Sequence, residues 1–381
     1  MFIVSLAYLA FFSIALPDST LGVAWPSMRL AFGQPLSAAG IIPPIGVAAT
    51  LVSTSLAPYL AARFGVGRVL SVGTLLSAAA LAGSALSATW WQFLLSVVAS
   101  GLAAGAIDAT LNAYAARRFG PRRISLLHAS YGVGAAVSPL VVTAVLATGG
   151  SWRLAYLIIS ALLLTVAVVF TVNHRRWQDD PEPIDSSTAG ADPRPAHLWT
   201  VNSVIGLVSV AVQTGIESSV ALWAFTFLTQ HLGVATAVAG GLASGYWLTL
   251  VIGRVGFGSL AERIGAWPVL AIATGLLVSA GVLANVPDPT TGMVAVVLFG
   301  LACAPIYPLL ILTTAERTSP AVADRVVGFQ AAASSVGAAV LPGLVGIAMG
   351  YDVGAFAPAL AVLCGVAAGL HLFIRSRRTR A

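Results

Sequence analysis

"YLAARFGVGR", residues 59–68, has a near copy 200 residues further on, "SLAERIGAWP", residues 259–268. Arg63 falls over Arg263 and Gly65 over Gly265, and each copy is a short polar interruption between two apolar stretches. Three further pairings keep the same order. "GLAAGAIDATLNAYAARR" (101–118) lies over "GLACAPIYPLLILTTAER" (300–317), and "GAAVSP" (134–139) over "GAAVLP" (337–342). "PDSTLGVAW" (17–25) lies over "IESSVALW" (216–223), which sets Asp18 over Glu217. Four pairings at offsets of 199 to 203 indicate that the chain is an internal duplication.

Only 8% of the 381 residues are charged, 58% are hydrophobic, and the mean hydropathy is +0.93. A soluble domain carries about 25% charged residues, so this chain lacks the groups to cover a water-facing surface. Its outside must meet lipid. On either side of the repeated loop, apolar stretches long enough to cross about 30 Å of hydrocarbon fall near 3–27, 37–61, 67–88, 91–115, 124–147 and 152–172. A second set falls near 200–229, 235–260, 267–286, 291–314, 325–349 and 353–373. Between the sets, "NHRRWQDDPEPIDSSTAGADPRPAHL" (173–198) is rich in Pro, Asp and Arg and has no apolar periodicity, the pattern of a flexible linker. The expected fold is an all-α membrane protein of twelve transmembrane helices in two pseudo-symmetric six-helix halves, 1–172 and 199–381. Six helices return each half to its starting side, so the repeats are parallel and related by an axis along the membrane normal. The first apolar run starts at Met1 without a basic stretch or a cleavage pattern before Asp18, so it is expected to be retained as a helix.

The chain holds arginine and no lysine. Arg63, Arg68, Arg117, Arg118, Arg122, Arg123, Arg175, Arg176, Arg194, Arg263, Arg317, Arg325, Arg375, Arg377, Arg378 and Arg380 share one side with both termini. Arg29 and Arg153 fall opposite, and Arg254 lies inside an apolar stretch. By the positive-inside rule both termini are cytoplasmic, and the expected location is the cytoplasmic membrane. The formal charge of +6 therefore sets topology and offers no basic soluble face for nucleic acid. Cys303 and Cys364 lie in apolar runs without ligand spacing and read as small buried hydrophobes. No nucleophile elbow, phosphate loop or soluble domain is present to support enzyme chemistry, and no cofactor or metal is expected.

Of thirteen acidic residues, Asp18, Asp108 and Glu217 alone fall inside spans. A charge at the bilayer centre costs roughly 2.5–3.5 kcal/mol on insertion scales, so such groups mark function by default. At 1.5 Å rise per residue, Asp18 and Glu217 each lie roughly 25 Å from the cytoplasmic end and Asp108 roughly 10–15 Å. Burial disfavours the charged form of a carboxyl group, so an acid in such a place can take a proton on one side and release it on the other. This makes Asp108 the candidate proton carrier and Asp18 the group that couples protonation to solute binding. Glu217 is a candidate for either role. The structural alternative is that Ser19, Thr20 or a backbone group freed by Pro17 simply holds the acid. Asn112, one turn beyond Asp108 on the same face, either holds that carboxylate, meets a solute hydroxyl or bonds a neighbouring helix. His128 reads as a local hydrogen-bonding group before a proton relay. Arg254 either snorkels its guanidinium to the interface or pairs with an acid when the cytoplasmic side closes.

Two six-helix halves with a linker, together with "LAARFGVGR" (60–68), resemble the major facilitator superfamily and its loop pattern G-x-x-x-D-R-x-G-R. Arg63, Gly65 and Arg68 match the pattern, Ala62 replaces its acid, and Glu262 with Arg263 keeps an acid in the second copy. The resemblance implies a cytoplasmic gate around Arg63, Arg68, Arg254, Glu262 and Arg263, and a monomeric transporter of a small molecule. Three shorter stretches resemble the fucose–proton symporter family: "ALPDSTLGVAWPSMRLAFG" (15–33), "IDATLNAYA" (107–115) and "LLHASYGVGA" (126–135). They set Asp18, Asp108 and Asn112 on that family's functional positions, while Tyr131 stands where the family has a sugar-contacting asparagine. The resemblance implies sugar transport. Recognition of a sugar needs hydroxyl partners and a flat ring, so Tyr131, Gln213, Trp223, Tyr246 and Trp247 join Asp18, Asn112 and Glu217 as candidate solute contacts. Packing or interfacial anchoring is the alternative for each tryptophan. Proton coupling, sodium coupling through Asp108 and Asn112, and drug or metabolite export through Glu217 all remain open at this level.

Overall fold

The computed structural model describes residues 2–177, 198–318 and 320–376. Twelve helices there are long and apolar enough to cross a membrane: α1 (Phe2–Ala31), α2 (Leu36–Phe64), α3 (Val66–Leu86), α4 (Trp90–Arg118), α5 (Arg122–Ala147), α6 (Trp152–Trp177), α7 (Val201–His231), α8 (Thr236–Ile264), α9 (Ala266–Ala284), α10 (Pro289–Leu312), α11 (Val322–Tyr351) and α12 (Val353–Ser376). No strand occurs among the described residues. Local chemistry explains the boundaries. Thr89 accepts from the Gln92 amide while the Gln92 side chain reaches back, a capping box that starts α4. Asp288 accepts from the Thr291 amide at the start of α10. Gly65 (φ +83°, ψ 150°) and Gly265 (φ +90°, ψ 160°) make the same tight turn after α2 and α8, in a region open almost only to glycine. α6 runs to Trp177 rather than ending at residue 172, and its last residues form a 3₁₀ turn. Most of the linker lies outside the described residues, as do Arg194, Arg377, Arg378 and Arg380.

The halves repeat in space as they do in sequence. In the first, α1 packs on α5, α2 on α4, and α3 on α4 and α6; in the second, α7 packs on α11, α8 on α10, and α9 on α10 and α12. Apolar association gains little in lipid, so these contacts depend on close backbone approach and interhelical hydrogen bonds. A Cβ at Gly101 would meet the Ala49 side chain at 2.9 Å, and one at Gly253 would meet Ala304 at 2.6 Å. Thr50 donates to the Gly101 carbonyl at 3.1 Å, Ser160 to Ala78 at 2.7 Å and Thr214 to Ser334 at 2.9 Å. Leu51, Val52, Leu56 and many other large apolar side chains stay exposed, as suits a surface that faces lipid.

Between the halves, α2 meets α11 and α5 meets α8, a pair of contacts exchanged by the pseudo-twofold. The second stretch of α1, Leu21–Ala31, also meets α7. Close approaches run from the middle of the seam, with Gly132 against Val251, to the side away from the termini, with Gly22 against the Ala221 carbonyl, Gly40 against Gly343 and Gly240 against Thr143. Toward the terminal side, Asp108, His128 and Arg254 are exposed. The seam is closed on the far side and open toward the termini.

Candidate functional site

A cavity of about 390 Å³ occupies the closed end of that seam, reaching α1 to α6 on one side and α7, α8 and α11 on the other. Asp18 and Glu217 both line it. The chain folds to put Asp18 there because Pro17 interrupts the helical ladder. The first stretch of α1, Phe2–Asp18, ends at once, and the second resumes at Leu21. Thr20 donates to the Pro17 carbonyl at 2.8 Å and meets the Tyr156 hydroxyl at 3.2 Å. Ser19 turns back to the Ala15 carbonyl. Neither hydroxyl therefore holds the carboxylate. Tyr131 does, donating to Asp18 Oδ2 at 2.9 Å and tying α1 to α5.

Glu217 sits in an unbroken part of α7, and an Arg254 nitrogen from α8 lies 3.6 Å from its Oε1. Arg254 thus pairs with an acid while the terminal side is open. That distance exceeds a hydrogen bond, so the contact is an ion pair across a gap. Asp108 lies on the open terminal side of α4 and accepts from Asn112 Nδ2 at 2.9 Å, along one helix face. His128 stacks edge-on against Phe11 with ring centres 5.2 Å apart.

The remaining candidates divide sharply. Trp247 and Tyr131 line the cavity. Trp223 is fully buried and donates to the Pro342 carbonyl at 2.8 Å. Gln213 is fully buried against the Cys303 carbonyl, and Tyr246 donates to the Glu217 carbonyl at 2.9 Å. These three brace the second half from within and do not line the cavity. Arg63, Arg68, Glu262 and Arg263 are exposed and make no ion pair among the described residues; the Arg63 guanidinium lies 5.7 Å from the Phe64 ring centre. The far wall of the cavity includes Ser84, Phe93, Ser96 and Ser100, none of which stands out in the sequence. The one signal there is a pair of hydroxyls four residues apart, Ser96 and Ser100, near the start of α4. A separate cavity of about 320 Å³ lies between α9 and α12, walled by Leu270, Thr274 and His371, and holds none of the three acids.

Paired halves around a cavity that carries two carboxylates suit the movement of a solute. Comparison with known proteins agrees. The chain is 21% identical over 387 residues to the glucose/mannose transporter GlcP of Bacillus subtilis (strain 168), covering 98% of this chain and 94% of that one. Its fold matches the crystal structure of a D-xylose-proton symporter with a TM-score of 0.78 at 16% identity, covering 99% and 98% of the two chains. It also matches a bacterial homolog of the human lysosomal transporter Spinster, in an inward-facing and unoccupied conformation, with a TM-score of 0.77 at 14% identity over 99% and 97%. The family model of the Major Facilitator Superfamily matches residues 7–342. With twelve spans, two repeated halves and that match over most of its length, the chain is a multi-pass membrane transporter, not an enzyme, and belongs to the Major Facilitator Superfamily.

Proposed function

We propose that the protein is a secondary active transporter that carries a sugar by alternating access, coupled to protons, with its termini in the cytoplasm. One observation carries this: the Asp18 carboxylate lines the cavity between the halves, at a helix break, held by the hydroxyl of Tyr131 from another helix. Protonation of a carboxylate changes what it can accept, so the tie between α1 and α5 changes with it. Asp108 is the proton carrier. It faces the open side, its partner is the neutral amide of Asn112, and it has no ion pair among the described residues. Glu217, matched by Arg254, serves as a solute-facing group. A glucose/mannose transporter and a D-xylose-proton symporter among the proteins it resembles support the sugar and the proton, and the three stretches similar to the fucose–proton symporters agree. The excess of arginine on the terminal side supports the orientation.

The test is uptake into proteoliposomes under separately imposed proton and sodium gradients. A proton gradient should drive sugar accumulation, and Asp108→Asn should remove accumulation while keeping counterflow exchange. Accumulation driven by sodium alone would replace the coupling ion with sodium. Unchanged uphill uptake by Asp108→Asn would end the assignment of that residue.

A further inference from the structure

We propose that Ser84, Ser96 and Ser100 form the surface that recognises the solute's hydroxyl groups, so that the first half selects the cargo. The inference rests on the sugar reading above and assigns contacts which that reading leaves open.

Many serines in these helices turn back on their own backbone. Ser71 donates to Gly67 and Ser219 to Gly215, each four residues earlier. Ser84 and Ser100 do not: among the described residues their hydroxyls meet no protein partner, and both residues line the cavity. Ser84 is only 5% exposed, yet its hydroxyl is not sealed from the cavity. A hydroxyl that faces the cavity and is not taken by the protein's own backbone can both donate to and accept from a solute that enters. Ser96 donates to the Gln92 carbonyl at 3.2 Å and keeps its lone pairs free to accept.

The three residues share one wall. Ser96 and Ser100 lie one turn apart on the same face of α4. Gly83, beside Ser84 on α3, comes so near that a Cβ there would lie 2.8 Å from Ser96 Oγ. Phe93 packs this wall from behind, buried and stacked on the Trp90 ring with centres 5.5 Å apart. The acids bordering the cavity are Asp18, bonded to Tyr131, and Glu217, paired with Arg254. No cationic side chain lines it among the described residues, so the cavity does not suit an anionic solute.

The experiment measures uptake kinetics of glucose, mannose and xylose in proteoliposomes for the wild type, Ser100→Ala, and the double variant Ser84→Ala with Ser100→Ala. Each lost hydrogen bond should raise KM about fivefold, with kcat nearly unchanged. Ser55→Ala, at an exposed serine that bonds its own helix at Leu51, should leave KM alone. Ser100→Ala alone decides the matter if the double variant does not insert. A wild type that carries one of these sugars, with KM unaltered in the variants, overturns this inference and spares the sugar reading. A wild type that carries a lipophilic cation and none of the three sugars overturns both.

Discussion

Gly65 in the first half and Gly265 in the second turn with nearly the same backbone angles, and the helices around them pair in the same pattern. The polar residues diverge. α1 breaks beside Asp18, whereas α7 continues through Glu217 to Thr226 before one π turn. α4 runs unbroken past Asp108 and Asn112, whereas α10 holds Pro305 and Pro308 and places Tyr307 and Ile311 at the matching positions. Asp18 takes a hydrogen bond from a neutral tyrosine, while Glu217 lies beside a guanidinium. Duplication preserved what the fold needs, namely turns and close helix contacts. Asp18 and Asp108, the two acids that can change charge without breaking an ion pair, sit in the first half.

Coupling should therefore suffer most. Asp18→Asn should abolish uphill uptake, while Glu217→Gln should lower it by no more than about fivefold, the worth of a partly exposed ion pair. Equal loss in both, measured as accumulation in proteoliposomes, would undo the contrast. Next comes Tyr131→Phe, which removes a hydrogen bond to a carboxylate worth about 1.5–3 kcal/mol. It should cut uphill uptake at least about tenfold and leave the fold intact by circular dichroism.

A smaller effect separates Arg317 from its repeat partner Arg118. Arg317 is buried and donates to the carbonyls of Thr313 and Leu310 and to the Thr314 hydroxyl. Burial pushes its pKa down to about 10, which still leaves it charged at neutral pH. Arg118 is exposed beside the Tyr114 ring. Arg317→Ala should cost about 2–3 kcal/mol of stability and Arg118→Ala less than about 1 kcal/mol, read from melting in detergent. At the shared turns the halves should hardly differ. Gly65→Ala and Gly265→Ala should each cost about 1–3 kcal/mol through backbone strain alone. Space is open around both, with nothing within 4 Å at Gly65 and only Pro268 at 3.8 Å from a Cβ at Gly265. Unequal melting shifts would show that the two turns carry different loads.

Twelve spans, the duplication and the three acids within the spans are legible in the linear chain. Hydrophobic length and charge belong to the chain itself, and lipid demands them wherever a helix lies. The pairing of Asp108 with Asn112 is legible too, because a spacing of four residues is local to one helix. Other contacts exist only once the helices are assembled. Trp223, Gln213 and Tyr246 turn inward to their own half, and Tyr131 meets Asp18 from another helix. Ser84, Ser96 and Ser100 come to one wall from two helices. In water an apolar stripe tells which face of a helix is buried. In a bilayer the lipid face and the packed face are both apolar, so the pattern does not say which side chains reach the seam. Packing between helices settles that.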